Sequence, residues 1–460
     1  KGMKKFIALF SFLVLCFSVF AQENCNHFNA RHTPAWFREG VSYQIMPRCF
    51  SEEGTLKGAE KHLERLVDLG ISVVYLIPVN VADTDMDKSK WSPRQLASGF
   101  NDPRNPYRAG DYFTVDPEYG TDQDLKDFVN KAHSLGLKVF LDLVFAHCGP
   151  GAEVIKSHPE YFLYKENGEM ELTRWNFPRF DMNYIGTRRY FKTVMNYYLS
   201  HYNVDGFRCD VAHRIPISFW EEARVEAEAI KPDVVIVAES SRPYDMRYAF
   251  DAEYNWSIAR YAMRPILDKD PKFADKGGMA YVRAQHIKNA SVRPKGALHW
   301  NMTENHDFAT DDFENRQEKR LGNACCELQL AFSFAIDGVP FLFNGQEIAH
   351  EKRVSLFGHK DCWIDWKNDS TTDVAKDRTA KIKAWAKMRK EQKALSYGAT
   401  EWIDNDKPVE VLSFKRTLEG ANDVLFVGNF SDKEIKVKLA DGTKYTLAPW
   451  AYIFEPQKKK

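Results

Sequence analysis

The segment "GFRCDVAHR" (206–214) sets Arg208 and Asp210 two positions apart at the end of a short apolar run. In a strand, residues i and i+2 leave the same face, so a guanidinium and a carboxylate project together into whatever space lies at the strand's end. Charges seldom sit fully buried unless they are paired or used. Other apolar runs end in similar groups: Asp142 and then His147 in "KVFLDLVFAH", Glu239 after "VVIVA", and His306 with Asp307 in "WNMTENHD". Two carboxyl groups about 5–5.5 Å apart are the machinery of glycoside hydrolysis with retention, one attacking the anomeric carbon and the other holding the leaving group's proton. Arg208 beside Asp210 favours an ionised nucleophile, and the apolar residues before Glu239 favour a protonated acid.

These groups can meet only if parallel strands deliver them to one rim. From residue 40 the chain alternates apolar runs with amphipathic segments. In "KHLERLVDLG", Leu63, Leu66 and Val67 share a helical face and Gly70 is placed to cap the end. Thr121 opens "TDQDLKDFVNKAHSLG" with an acid three residues on, a capping-box pattern, and Gly136 closes it before "KVFLDLVF". Non-alternating apolar runs at 41–47, 73–79, 138–145, 206–211, 234–239, 249–253, 297–302 and 339–344 predict strands covered on both faces. Eight strand–helix units predict an α/β fold, a closed (β/α)8 TIM barrel, whose chemistry lies at the C-terminal ends of the strands. The polar, Gly/Pro-punctuated stretch 148–186 reads as a short excursion after the third strand. From 398 to 460 short β runs and an Asp441-Gly442 turn predict an antiparallel, sandwich-like β domain, so the catalytic barrel spans 22–397.

Composition narrows the partners. Lys plus Arg and Asp plus Glu number 64 each, so the formal charge is zero and no basic excess exists to hold a nucleic acid. Lys4 and Lys5 before the apolar run 6–20, with Val19-Phe20-Ala21 after it, predict a signal peptide over 1–21, cleavage near Ala21 and export to the periplasm or medium. No later run is long enough to span a membrane at about 20 residues. Seven cysteines follow Ala21 without close spacing and are expected as buried free thiols. There is no C-x-x-C zinc pattern, no phosphate loop and no G-x-S-x-G elbow. The alternating acids of "DTDMDKS" (83–89) lack the glycine of a calcium loop and are expected as a solvated loop.

Several segments together resemble glycoside hydrolase family 13, the α-amylase family, over about residues 35–455. They are "GVSYQIMPRCF" (40–50), "NPYRAGDYFTVDPEYGT" (105–121), "DLVFAH" (142–147), "GFRCDVAHR", "VAES" (237–240), "TENHD" (303–307) and "GVPFLFNGQE" (338–347), with "FDMN" (180–183) a weaker match. The resemblance implies Asp210 as nucleophile, Glu239 as acid/base and Asp307 as the carboxylate that stabilises the oxocarbenium-like state. It implies Arg208, His147 and His306 as hydrogen-bonders to the sugar and Tyr107 as the ring stacked beneath it, with Asp142 as a supporting group that organises His147.

Departures from the family pattern carry expectations too. Ala146 stands where many members have a calcium-ligating Asn, and His213-Arg214 replace a common Lys-His, so no cofactor and no metal site are expected. Val211 after the nucleophile resembles α-1,6-cutting members, whereas Ala is usual in α-1,4-cutting ones. The implied activity is retaining hydrolysis of starch-like α-glucans. A transglycosylase, a disaccharide- or α-1,6-directed member, and a glycan-binding barrel without catalysis remain as alternatives.

Overall fold

The protein is described by a computed structural model covering residues 24–311, 316–358 and 362–458; the leader-like stretch 1–21 lies outside these residues. Eight strands, β1 (Ser42–Ile45), β2 (Val73–Leu76), β3 (Lys138–Leu143), β4 (Gly206–Cys209), β5 (Val235–Ala238), β6 (Ala252–Tyr254), β7 (Leu298–Met302) and β8 (Val339–Phe343), follow the predicted runs. They pair in parallel in sequence order, and β8 closes on β1. Almost every strand residue is buried, as a parallel sheet under a ring of helices requires.

The predicted punctuation is present. Gly70 takes a left-handed φ of 91° and ends the helix Leu63–Leu69, a conformation nearly free of cost only for glycine. Thr121 and Asp124 form the reciprocal capping box of the helix Asp122–Ser134. Gly206, which opens β4, sits where any Cβ would lie 2.3 Å from the Val235 carbonyl oxygen. Glycine there lets β4 and β5 pair closely enough to align their ends. Inside the barrel, Trp300 meets Tyr75, Tyr254 and Phe341 at centroid distances of 5.4, 5.7 and 4.8 Å. This aromatic plug packs the interior, and Tyr254 carries it up to the Arg208 guanidinium and Tyr75 to the Asp142 carboxylate.

After β3 the excursion forms a small lobe, with a short helix Glu153–Ser157 and bridges from Phe162 to Phe180, Tyr164 to Met170 and Leu172 to Pro178. A bridge from His147 to Arg179 ties this lobe to the barrel rim. The C-terminal region is a four-stranded antiparallel sheet, in the order β14 (Tyr452–Gln457), β11 (Asp423–Asn429), β10 (Val411–Thr417), β9 (Ala399–Trp402), with a hairpin of β12 (Ile435–Lys438) and β13 (Lys444–Leu447). Phe332, on the helix Asn323–Ala335, packs against Phe414, Phe426 and Phe430 and fixes this sheet to the barrel. All seven described cysteines are buried, and Cys49, Cys148, Cys209, Cys325 and Cys326 are free thiols, as expected. No described helix is long and apolar enough to cross a membrane.

Candidate active site

A cavity of about 810 Å³ opens at the C-terminal ends of the strands. Tyr107, His147, Asp210, Glu239, His306 and Asp307 all line it, so six of the side chains singled out in the sequence converge on one space. Arg208 and Asp142 lie just beneath, buried to 0% and 3% exposure.

Arg208 organises the floor. Its Nη1 donates to Asp142 Oδ1 and Oδ2 at 2.8 and 2.9 Å and to Asp210 Oδ1 at 3.0 Å, while Nη2 donates to Glu239 Oε2 at 2.8 Å. Arg208 meets Asp210 as expected, and two further carboxylates share it. Asp142 differs from its expected role. It makes no bond to His147 and instead accepts the hydroxyls of Tyr75 and Tyr107, the latter at 2.7 Å, besides the arginine. It therefore holds Arg208 and Tyr107. The geometric reason is that the chain turns away after Leu143, so His147 sits on the connection to the excursion, where its Nε2 donates to the Tyr107 carbonyl at 2.9 Å.

Val211 follows Asp210 with φ 35° and ψ 44°. A β-branched residue in the left-handed region is strained, and such strain collects where the surrounding structure demands one backbone direction. Here it turns the Val211 N–H onto Glu239 Oε2 at 2.8 Å. Both donors to Glu239 thus fall on Oε2, and Oε1 is left without a donor among the described residues.

Burial raises Asp210 well above the ordinary carboxylate range and raises Glu239 too. Arg208 opposes the shift in each case, and neighbouring carboxylates reinforce it. Several carboxylates around one cation cannot all ionise cheaply, so the charge of either Asp210 or Glu239 makes ionisation of the other more costly. Asp307 behaves oppositely. Burial works to raise it, but His306 and Arg94 hold it well below the usual range. Burial pushes His147 down to about 4 and His306 down to about 3, so both imidazoles are neutral at neutral pH. Gln44 fixes the His306 tautomer, its amide nitrogen donating to Nδ1 at 2.7 Å, while its amide oxygen accepts the His306 backbone N–H at 3.2 Å. His306 Nε2 then carries the hydrogen, 3.6 Å from Asp307 Oδ2. Tyr107 stacks on the His306 ring at 5.1 Å and 15°.

Two residues of the site were not foreseen. Arg94 donates Nη1 to Asp307 Oδ1 at 2.7 Å and Nη2 to the Asp307 carbonyl at 2.6 Å, and its guanidinium forms an ion pair with Asp311 at 2.7 Å. It comes from the short helix Pro93–Ala97 in the long connection after β2, where no local pattern marks an arginine as different from a solvated one. Gln44 lies within the first-strand motif, and its polarity in a buried strand was the available signal. The acidic loop 83–89 has a structural use. Asp83 pairs with Arg108 at 3.2 Å and accepts the Gly151 N–H at 2.6 Å, and Asp85 and Asp87 cap their own turn.

A closed parallel barrel with carboxylates and a buried arginine at the strand ends defines a barrel enzyme of the hydrolase type. The family model for the α-amylase catalytic domain matches residues 27–184 and 160–427, and the chain belongs to the α-amylase family of glycoside hydrolases. It is 26% identical over 466 residues to a cyclomaltodextrinase of Geobacillus thermopakistaniensis strain MAS1, covering 88% of this chain and 71% of that protein. It is also 26% identical over 438 residues to an intracellular maltogenic amylase of Bacillus subtilis strain 168, covering 84% and 68%. Among solved structures, a maltogenic α-amylase, AmyB, of Thermotoga neapolitana superposes with a TM-score of 0.77 at 24% identity, over 92% of this chain and 99% of that one. These relatives correct the expectation of export. Those from Bacillus subtilis are named intracellular, and the stretch on which export rested lies outside the described residues.

Proposed function

We propose that the protein hydrolyses α-glucosidic bonds of malto-oligosaccharides with retention, through a covalent intermediate on Asp210 and with Glu239 as acid/base. The observation that carries this reading is the shared guanidinium. Asp210 and Glu239 hang from the two terminal nitrogens of Arg208, side by side, a placement suited to direct attack rather than to a water held between them. Arg208 occupies Asp210 Oδ1, which leaves Oδ2 as the attacking oxygen. Both donors to Glu239 occupy Oε2, which leaves Oε1 to carry the proton.

In the first step Asp210 Oδ2 bonds to the anomeric carbon as its bond to the leaving oxygen breaks, and that oxygen takes the Glu239 proton. In the second, Glu239 takes a proton from water, the water oxygen bonds to the anomeric carbon, and Asp210 departs as carboxylate. Asp307, kept ionised, stabilises the positive charge that develops on the sugar between these states. Tyr107 supplies the flat ring beneath the sugar, held by its bond to Asp142 and its stack on His306. His147 and His306 meet the sugar as neutral hydrogen-bonding groups.

The relatives named as cyclomaltodextrinase and maltogenic amylase support maltodextrin-type oligosaccharides as the substrate class. Incubation with maltoheptaose and with pullulan, followed by proton NMR of the first-formed ends and sizing of the products, tests the reading. It requires shorter products that first carry the α configuration. First-formed β ends, or no cleavage, would overturn it, and longer products would assign the intermediate to sugar transfer. The reading includes no structural calcium, since Ala146 offers no side-chain oxygen at the expected ligand position. Chelation with EDTA should therefore leave the unfolding midpoint unchanged.

A further inference from the structure

The charges lining the cavity fall into two halves. On the wall that carries Asp307 they cancel locally: Arg94 pairs with both Asp307 and Asp311, and Arg260 pairs with Asp311 at 3.2 Å. Beneath the centre, Asp142, Asp210 and Glu239 share the one guanidinium of Arg208. The lining beside Glu239 is different. Arg174 from the excursion, His213 and Arg214 from the turn after β4, and Arg242 from the connection after β5 line the same cavity. Arg242 is committed, donating to the His213 carbonyl at 3.0 Å and pairing with Asp245 at 3.0 Å. Arg174 and Arg214 are exposed, and among the described residues neither has an ion-pair partner. Three separate elements thus deliver cations to one wall, and two of them have no counter-charge.

This wall stands beside the acid. His213 Nδ1 lies 3.4 Å from the Glu239 carbonyl oxygen. Burial lowers the His213 imidazole from its ordinary range, and the positive groups of Arg214, Arg242 and Arg174 lower it further, so the cations act on one locality. A general acid gives its proton to the departing oxygen, and the leaving group must therefore exit along the wall that carries it. Trp175 lines this wall too, with the Arg174 guanidinium 4.7 Å from its ring, an aromatic face for a sugar or aryl ring with a cation at its edge.

We propose that the leaving-group side of the cavity selects α-glucosides whose aglycone or acceptor carries a negative charge, a phosphate or a carboxylate, bound by Arg174 and Arg214. The inference rests on the assignment of Glu239 as the acid, which fixes which wall faces the leaving group. Guanidinium groups bind both kinds of anion through paired hydrogen bonds. Their exposure makes the selection sensitive to salt, with screening over about 8 Å at physiological ionic strength.

The test compares three α-maltosides that differ at one remote group: the 4-(carboxymethyl)phenyl glycoside, its phosphonomethyl counterpart and the neutral amide of the first. The proposal expects kcat/KM for both anionic glycosides to exceed that for the amide by about tenfold at low salt. That ratio should collapse to within about twofold in the R174A/R214A double variant and at about 0.5 M sodium chloride. A larger ratio for the phosphonate than for the carboxylate would assign the site to phosphate esters, and the reverse to carboxylates. Equal turnover of charged and neutral glycosides, or a ratio that survives the double substitution, overturns the proposal. Calorimetric binding of the same three compounds to the Asp210→Asn protein is read in parallel. If no glycoside is cleaved, the reading of the site as a hydrolase fails, and the binding ratio still decides whether the wall selects anions.

Discussion

Asp142→Asn separates the present view of the site floor from one in which Asp142 serves His147. The carboxylate is buried and accepts three donors: the hydroxyls of Tyr75 and Tyr107, both on Oδ2, and Arg208 Nη1, across both oxygens at 2.8 and 2.9 Å. An amide offers one oxygen. If that oxygen faces the tyrosines, the amide NH2 is set against the arginine N–H, and if it faces the arginine, both tyrosine hydroxyls lose their acceptor. At least one charge-assisted hydrogen bond is lost either way, worth about 1.5–3 kcal/mol, which converts to a fall of about 10- to 100-fold in kcat/KM. The pH profile gives a sharper test. The Asp142 charge is among the causes that raise both Asp210 and Glu239, and its loss also leaves Arg208 to two carboxylates instead of three. Both effects lower the titration of the pair. The acidic limb, where the nucleophile ionises, and the alkaline limb, where the acid loses its proton, should both move to lower pH. Steady-state kinetics on a neutral maltoside across pH 4–9 would read this, with thermal unfolding as a check on folding. An alkaline limb that stays in place or moves upward in a folded variant would refute the reasoning.

The remaining predictions follow from the same geometry. Arg94→Met removes the partner that holds Asp307 low, so the acidic limb should move to higher pH and kcat/KM should fall by about 10- to 100-fold; an unchanged acidic limb would argue that Asp307 needs no cation. His147→Asn should lower turnover without moving either limb above about pH 5, because the imidazole, pushed to about 4, is already neutral there. A limb displaced by this substitution would show that His147 is charged during catalysis.

Much of the architecture was legible because it rests on local chemistry. The apolar runs of the eight strands needed no knowledge of partners, since a strand buried on both faces must be apolar throughout, and Thr121 with Asp124 marks a helix start by hydrogen bonds within three residues. Convergence of Asp210, Glu239 and Asp307 followed from topology, because every strand of a parallel barrel points its end to the same rim. The partners of those groups were harder to read. Arg94 reaches Asp307 across 213 residues of sequence, and nothing in "SPRQLA" distinguishes it from a solvated arginine. The sharing of Arg208 among three carboxylates was equally invisible, because the i and i+2 rule names only the nearest partner and says nothing of neighbouring strands. The resemblance implied Asp142 as a partner of His147, whereas the register of β3 with β4 sets Asp142 directly beside Arg208.

The central claim is that one carboxylate, Asp210, forms a covalent bond to the sugar. Incubation with a 5-fluoro-α-glucosyl fluoride, which slows release of such an intermediate, followed by proteolysis and mass mapping, tests it directly. The account predicts a single glycosylated peptide carrying the label on Asp210, with labelling abolished in the Asp210→Asn variant. A label on Glu239 or Asp307, or an unlabelled protein that still turns over maltoheptaose, would contradict it.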